Sequence, residues 1–162
     1  MSYSARVVTI STRASQGIWE DTSGPHAVAA LSALGIDTPA PIIIPDGEIV
    51  EATLRALVAE GVDLVITSGG TGHSPTDFTP EMTLRVIDRS SPGIAEVIRA
   101  YGLAHGVATA ALSRGIAGIS GKTLIINLPG SLGGVRDGMA VLAPILIHSL
   151  DQIHGGDHTR TD

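Results

Sequence analysis

Short apolar runs rich in β-branched residues alternate with amphipathic stretches along most of the chain. The runs RVVTIS, PIIIP, DLVITS and TLIINLP each end in turn-forming residues, which is typical of buried strands. Between the first three runs, apolar residues recur at helical spacing, as at Val28, Leu31 and Leu34, and each helix closes near a glycine. Strands joined by helical crossovers run in the same direction, so the pattern predicts a parallel sheet.

Two further helices are predicted before the last strand. Thr79 is the expected N-cap of the first, with Pro80 at the first helical position and Glu81 in the first turn. The second is expected from Pro92 to about Tyr101. The stretch ALSRGIAGISGKTLIINLP then predicts a hairpin whose second arm enters the sheet.

A final amphipathic helix is predicted from about Gly134, with a kink at Pro144 because proline lacks the backbone N–H that a helix needs. No repeat or interdomain linker interrupts the pattern. The sequence therefore predicts an α/β fold: a single three-layer domain spanning residues 1–153, with an open, mostly parallel sheet, helices on both faces and a hairpin. Residues 154–162, HGGDHTRTD, are expected to form a flexible C-terminal tail.

The composition argues for one globular domain and against a nucleic-acid partner. With 43% hydrophobic and 16% charged residues, the 162-residue chain can bury a continuous core. Its few aromatic residues leave little surface for base stacking, and its net charge of −6 opposes binding to a phosphate backbone. The aromatic residues are Tyr3, Trp19, Phe78 and Tyr101.

The absence of cysteine excludes disulfides, thiolate metal sites and a cysteine nucleophile. The N-terminal stretch MSYSARVVTIST has no basic region followed by a long apolar run, and no apolar segment reaches the length of a membrane span. These features lead us to expect a cytoplasmic protein without a membrane partner.

Three turn-rich segments follow predicted strands, at residues 45–48, 68–77 and 127–134. Ligands of open α/β sheets bind at the carboxyl ends of the strands, so these segments should converge on one rim. Gly69, Gly70 and Gly72 would let a phosphate approach backbone N–H groups, but the same glycines also suit a tight turn with positive φ. From the residues alone, the two interpretations are about equally supported.

The two familiar nucleotide-binding fingerprints are missing. A P-loop needs a glycine five residues before its Gly-Lys, and Ile116 occupies that position before Gly121 and Lys122. The dinucleotide fingerprint fails because Pro75 stands where a third glycine would follow Gly70 and Gly72. A nucleotide, if one binds, must use another loop.

Two carboxylates fall on different rim segments, Asp46 after PIIIP and Asp77 before the predicted helix. Paired carboxylates beside a phosphate site suit Mg²⁺, although Asp46 also fits an ordinary turn and Asp77 also complements a helix dipole. Arg114, Lys122 and Arg136 could pair with phosphate or lie at the surface as solvated charges.

The stretch TSGGTGHSPTDFTPE resembles the signature of the Mog/MoaB family of molybdenum cofactor biosynthesis proteins. Further similarity lies in EDTSGP, IIIPD, PGIAEVIR, LSRGIAGISGKTLIINLPGS and VRDGM, and it extends to about Ile153. The chain departs from the common pattern at Thr12, where many members carry Asp or Ser, and at Phe78.

This resemblance implies a molybdopterin-binding-domain-like fold and a homotrimer that acts on molybdopterin and ATP. The Mog branch of the family is a molybdopterin adenylyltransferase, which transfers AMP from ATP to the terminal phosphate of molybdopterin, uses Mg²⁺ and releases pyrophosphate. A partner, the molybdate insertase, then acts on the product. The alternatives are a MoaB-type molybdopterin-binding protein, a pterin carrier without turnover, or a structural trimer module that hands the cofactor to a partner.

The resemblance also implies roles for individual residues. Asp46 and Asp77 match the two functionally important acids of the family, with catalytic and metal-binding roles. Two loops match the segments that contact phosphate, pterin and nucleotide. The matched binding residues are Ser68, Gly69, Gly70, Thr71 and Gly72 in the first loop and Asn127, Pro129, Gly130 and Ser131 in the second.

Overall fold

The computed structural model describes residues 2–156, which form a six-stranded sheet with the strand order β2-β1-β3-β6-β5-β4. The strands are β1 (Ala5–Ile10), β2 (Ile42–Ile44), β3 (Leu64–Ser68), β4 (Arg89–Ser90), β5 (Ala117–Ser120) and β6 (Thr123–Leu128). The strands β2, β1, β3 and β6 are parallel, whereas β5 pairs with β6, and β4 with β5, in antiparallel fashion. The mostly parallel sheet and its β5–β6 hairpin are therefore confirmed.

The seven α-helices are α1 (Thr12–Ser15), α2 (Ser23–Ala33), α3 (Glu48–Ala59), α4 (Thr79–Leu84), α5 (Pro92–Ala104), α6 (Leu132–Leu142) and α7 (Leu146–Ile153), within the described part of the chain. A 3₁₀ helix spans Ala108–Leu112. No helix of residues 2–156 is long and apolar enough to cross a membrane.

Helices cover both faces of the sheet because consecutive strand residues point in opposite directions. Ile66 and Ile126 are buried in a core that also contains residues of α2, α5, α6 and α7. Their neighbours Val65 and Ile125 are buried in a second core, which includes residues of α3 and α4. The central strands are apolar at nearly every position for this reason, and the predicted three-layer arrangement is confirmed.

Several element boundaries differ from the prediction. β2 is an edge strand that pairs only with β1, so Ile43 keeps 40% of its surface exposed and the strand is not fully buried. Thr79 is the first residue of α4 and not its N-cap; its side chain is buried and caps no helix amide. At two residues, β4 is too short to produce a periodic pattern.

The C-terminal helix is divided at Pro144, where a kink was predicted. α6 ends at Leu142, and α7 begins at Leu146. Proline cannot donate a hydrogen bond within a helix, and its ring clashes with the preceding turn, which explains the break. α6 begins two residues earlier than predicted, because Ser131 is its N-cap and accepts a hydrogen bond from the backbone N–H of Gly134 at 3.0 Å.

The start of the predicted tail is attached to the amino edge of the sheet. The Tyr3 hydroxyl donates to the carboxylate of Asp151 in α7, and the rings of Tyr3 and His154 have centroids 5.7 Å apart. His154 Nε2 also lies 2.8 Å from Asp63 Oδ1. Residues 157–162 lie outside the described residues, so a flexible tail there stays a prediction.

At alkaline pH, ionisation of Tyr3 should lower the unfolding free energy of the protein, and we expect replacement of Tyr3 by phenylalanine to remove this effect. The hydrogen bond to Asp151, together with burial, raises the pKa of Tyr3 to about 12 from its usual value near 10. The stabilising contribution is complete below pH ~10 and is lost as pH rises through the folded-state pKa, because the unfolded chain ionises first. Urea unfolding at about pH 9 and about pH 11 measures this difference.

In the Tyr3→Phe variant, the fall in unfolding free energy between the two pH values should be smaller than in the unsubstituted protein. At neutral pH the variant should also be less stable by about 1–2 kcal/mol, because a hydrogen bond to a carboxylate is lost. Tyr101→Phe, a matched change in α5, keeps the Tyr3–Asp151 contact and should keep the alkaline loss. If the unfolding free energy fell equally between the two pH values in the Tyr3→Phe variant and in the unsubstituted protein, the alkaline loss could not be due to Tyr3.

Candidate functional site

The glycine-rich loop after β3 passes tightly between β1 and the start of α4. Gly69 and Gly70 have φ angles of +104° and +65°, which only glycine adopts readily. A Cβ atom on Gly69 would lie 2.2 Å from the carbonyl oxygen of Ile10. One on Gly70 would lie 2.1 Å from Thr79 Oγ1 and 2.2 Å from Asp46 Oδ2. Both backbone conformation and close approach therefore require glycine at these two positions.

The same loop also has unused hydrogen-bond donors. Within residues 2–156, the backbone N–H of Gly69 donates to Leu128, whereas those of Gly70, Thr71 and Gly72 make no hydrogen bond. Three successive free N–H groups beside a helix N-terminus form an environment suited to an anion. The turn and the anion interpretations of these glycines are thus compatible, because the turn exposes the amides.

Arg114 holds this loop from the hairpin side. Its guanidinium donates to the carbonyl oxygens of Gly72 and Asp77, each at 2.7 Å, and to the carboxylate of Glu81. Its backbone N–H donates to the carbonyl of Thr71 at 2.8 Å. Although burial opposes it, the hydrogen bond from Arg114 keeps the pKa of Glu81 below its usual value. Arg114 lines neither of the two cavities at this edge of the sheet, and its guanidinium is engaged by the loop and by α4.

Asp46 connects the loop after β2 to the start of α4. Its Oδ1 accepts a hydrogen bond from the backbone N–H of Gly47 at 2.6 Å, and its Oδ2 accepts one from that of Phe78 at 3.0 Å. Burial raises the pKa of the Asp46 carboxyl above its usual value, the charges of Asp77 and Glu81 raise it further, and the two backbone donors oppose the rise. Asp46 is thus an unfavourable location for a lone negative charge, which a nearby cation would stabilise.

Two adjoining cavities open at the carboxyl edge of the sheet, with volumes of about 550 and 560 Å³. The first, here called the apolar cavity, includes Ile98, Val107 and Leu112 in its lining. The second, here called the polar cavity, is formed largely by the loop after β1 together with Asp46. The residues that line both cavities are Gly69, Gly70, Asp77, Gly130 and Ser131.

The structure brings most of the predicted site residues to these cavities. Asp46 and Ser68 line the polar cavity, while Thr71, Gly72 and Pro129 line the apolar cavity. The three rim segments therefore converge, as the sheet topology predicted. Of the predicted site residues, only Asn127 lines neither cavity.

Asn127 is buried beneath the site, and its side chain lines neither cavity. Its Nδ2 donates to Thr67 Oγ1 at 2.9 Å and to Thr83 Oγ1 at 3.0 Å, and its Oδ1 accepts from the backbone N–H of Ile116 at 3.2 Å. These bonds join β3, α4 and the segment that enters β5 to β6. The Asn127 side chain therefore supports the elements that carry the loops, and its ligand-binding role stays a prediction.

The other two candidate cations, Lys122 and Arg136, line neither cavity. Lys122 lies in the turn between β5 and β6, which precedes the parallel strand β6 and is therefore at the opposite edge of the sheet. Arg136 is exposed on α6 and lines neither cavity. Arg99 lines the apolar cavity but donates to the carbonyls of Ser113 and Gly115, at 3.3 and 2.9 Å.

The loop after β1 supplies functional candidates that the sequence reasoning did not identify. Arg13, Trp19 and Asp21 all line the polar cavity. Asp21 stabilises the start of α2, because its Oδ1 accepts hydrogen bonds from the N–H groups of Ser23 and Gly24 at 3.1 and 2.9 Å. The signal for this cap was present in EDTSGP, where an acid precedes a helix start.

Comparison with known proteins adds an independent result. The family model described as "Probable molybdopterin binding domain" matches residues 6–148. A molybdopterin adenylyltransferase from Helicobacter pylori strain J99 is 37% identical over 153 residues, which cover 92% of this chain and 86% of its own length.

Solved structures give the same relationship. The molybdopterin biosynthesis Mog protein from Mycobacterium ulcerans is 48% identical and superposes with a TM-score of 0.88, covering 94% of this chain and 99% of its own. The molybdopterin biosynthesis enzyme MoaB from Thermus thermophilus is 38% identical with a TM-score of 0.88, covering 94% and 97%. On the strength of these matches to sequence and fold, this chain belongs to the Mog/MoaB family of molybdopterin-binding-domain proteins.

Proposed function

We propose that the protein is a molybdopterin adenylyltransferase that transfers AMP from ATP to the terminal phosphate of molybdopterin and releases pyrophosphate. The observation that supports it most is the pair of adjoining cavities that share Gly69, Gly70 and Asp77. A reaction between two phosphate-bearing substrates needs two binding spaces that meet at one anion site. The name of the Helicobacter relative agrees with this proposal.

The reacting phosphates are assigned to the residues common to both cavities. An oxygen of the pterin phosphate bonds to the α-phosphorus of ATP, the bond from that phosphorus to the bridging oxygen breaks, and the electron pair leaves with pyrophosphate. The free N–H groups of Gly70, Thr71 and Gly72 would stabilise charge on the transferred group. Because transfer between phosphates depends mainly on alignment and charge neutralisation, no nucleophilic side chain is required.

Mg²⁺ is proposed to bind together with ATP, and the residues present fit it. Asp46 and Asp77 offer carboxylate oxygens, and Thr79 Oγ1 is buried with no partner in the described part of the chain. Residues 2–156 contain no group of three or more His, Cys, Asp or Glu side chains that could hold a metal alone. Mg²⁺ commonly uses one or two carboxylates plus phosphate oxygens and water, and when bound it neutralises charge on the phosphates.

The remaining expectations from the family are also proposals. We propose a homotrimer in the cytoplasm that passes its product to a molybdate insertase. A MoaB-type role is the nearest alternative, supported by the similarity to the Thermus thermophilus MoaB structure. A pterin carrier or structural trimer module would bind the pterin without forming an ATP-dependent product, so that product separates these alternatives from the enzyme.

Asp77→Asn should abolish most of the transfer while leaving the fold intact. The amide keeps the shape of the side chain but removes the charge beside the shared anion site, so the rate should fall by about 100-fold or more. Purified protein is mixed with molybdopterin, ATP and Mg²⁺, and the release of pyrophosphate and the mass of the adenylylated pterin are followed. Thermal unfolding and the oligomeric mass establish that the variant is folded.

Asp37→Asn is the matched control, because Asp37 is exposed and pairs through its backbone with Ser4 at the opposite edge of the sheet. This control should transfer AMP at the rate of the unsubstituted protein. Full activity in the Asp77→Asn variant would contradict the catalytic role. Pterin binding by the unsubstituted protein with no ATP-dependent product would support the carrier instead.

A comparison of Gly70→Ala with Gly61→Ala separates the effect of a steric clash from the effect of backbone strain. Gly61 has a similar positive φ of +77° but open space around its Cβ position, so Gly61→Ala introduces only the strain, worth about 1 kcal/mol. Gly70→Ala adds the clash with Thr79 and Asp46, so it should destabilise the protein further and abolish the transfer. Urea unfolding and the pyrophosphate assay measure both effects; equal behaviour of the two variants would contradict the steric argument.

A further inference from the structure

The segment between β1 and α2, called here the loop after β1, contains α1 and folds back on Arg13. The backbone carbonyl of Arg13 accepts hydrogen bonds from the N–H groups of Ile18 at 2.9 Å and Trp19 at 3.4 Å. Gly17, with a φ of +72°, supplies the left-handed residue that this reversal needs. At the other end, Ser11 donates its backbone N–H to Ile44 in β2 at 2.9 Å. The loop is therefore anchored on both sides of Arg13.

This conformation places the guanidinium of Arg13 over the indole ring of Trp19, 4.4 Å from the ring centroid. A guanidinium at that distance is attracted by the face of the ring, which restricts the rotamers of the arginine. Trp19 is not a core residue, since 61% of its surface is exposed. Its visible contribution to the structure is the orientation of Arg13 at the polar cavity.

The charge of the polar cavity makes this arginine distinctive. Four carboxylates line the cavity, whereas Arg13 is the single Lys, Arg or His among its lining residues. Within residues 2–156, no carboxylate forms an ion pair with Arg13. A cation that is held by an aromatic ring and left without an acidic partner can accept an anion from outside. The four carboxylates belong to Glu20, Asp21, Asp46 and Asp77.

We propose that Arg13 binds the β- and γ-phosphates of ATP in the polar cavity and that Trp19 is the positioning residue for Arg13. This inference rests on the proposed adenylyl transfer and adds where the leaving group lies. Arginine matches phosphate through parallel N–H···O bonds, and a stacked guanidinium loses less freedom on binding.

The assignment also orients the reaction. The bond between the α-phosphorus and the bridging oxygen breaks, and its electron pair moves onto the pyrophosphate beside Arg13, where the positive charge stabilises it. Attacking and leaving oxygens lie roughly in line in such transfers, so the pterin phosphate approaches from the side of the apolar cavity. Adenylyl transfer then proceeds across the residues shared by the two cavities.

The test compares the binding of ATP, AMP and pyrophosphate, each with Mg²⁺ and without pterin, by calorimetry. Arg13→Ala should weaken binding of ATP and pyrophosphate by about 10-fold, as expected for loss of one charge-assisted contact, and change AMP binding by less than about 2-fold. Trp19 is the only tryptophan, so its fluorescence gives a second readout. Pyrophosphate should change the emission of the unsubstituted protein and not of Arg13→Ala.

Arg136→Ala is the matched control, because it removes the same charge from an exposed residue outside both cavities. It should bind all three ligands like the unsubstituted protein. Trp19→Ala should reproduce the selective loss of ATP and pyrophosphate binding, and Trp19→Phe should restore most of it, which a merely structural role would not produce.

Equal weakening of ATP and AMP, or no weakening of either, would overturn the inference. Its failure can be told from failure of the proposed function. Arg13-dependent binding of pyrophosphate in a protein that forms no adenylylated pterin would support the phosphate site and reject the transferase. Unimpaired binding and transfer in the Arg13→Ala variant would reject the phosphate site at Arg13 and support the transferase.

Discussion

The close approach of Gly70 to Asp46 and Thr79 is the constraint on which the site depends. Three chain segments, following β2 and β3 and beginning α4, meet there with no room for a side chain. The approach brings an acid whose pKa is raised by burial next to a loop with free backbone N–H groups. A larger residue at position 70 would push Asp46 away from the free N–H groups of the loop. The absence of a side chain at this position therefore sets both the packing and the electrostatics of the site.

Two polar residues hold this arrangement from below and from the side. Asn127 uses its amide to join β3, β6 and α4, and Arg114 spans the glycine-rich loop and the first turn of α4. Asn127 is buried, so its amide would be costly without the partners that it finds in these elements. Arg114 is partly exposed and also finds its partners among the elements that it joins. Such networks restrict the loops to one conformation, which a site that must align two phosphates requires.

The sequence predicted the layers of the fold because its apolar residues follow two clear periods. Strands and helices with a buried face carry that signal, whereas β4 has two exposed residues and leaves no pattern. The N-cap of α4 was predicted one position too late, at Thr79, since a threonine before Pro-Glu fits a cap; in the structure its hydroxyl is buried beside Gly70. The preference of threonine for the N-cap position was overridden there by the packing of Thr79 against the glycine-rich loop.

The site was predicted in outline, and its limits have a physical cause. A sequence motif fixes which residues lie near the rim but not where each side chain points, so Asn127 could be matched to a ligand-binding segment although it faces the interior. The cation–π pair of Arg13 and Trp19 was missed because its partners meet only after the chain reverses at Gly17.

The negative net charge of the chain means that anionic substrates must be bound by individual groups close to them. Both proposed substrates are anionic, and the chain itself carries a net charge of −6, so the overall field does not favour their approach. Affinity must then come from short-range partners: the free N–H groups of the loop, the N-terminus of α6 that follows Ser131, and a cation accompanying ATP. A site built in this way holds phosphate only beside these short-range partners, which confines the anions to the two adjoining cavities.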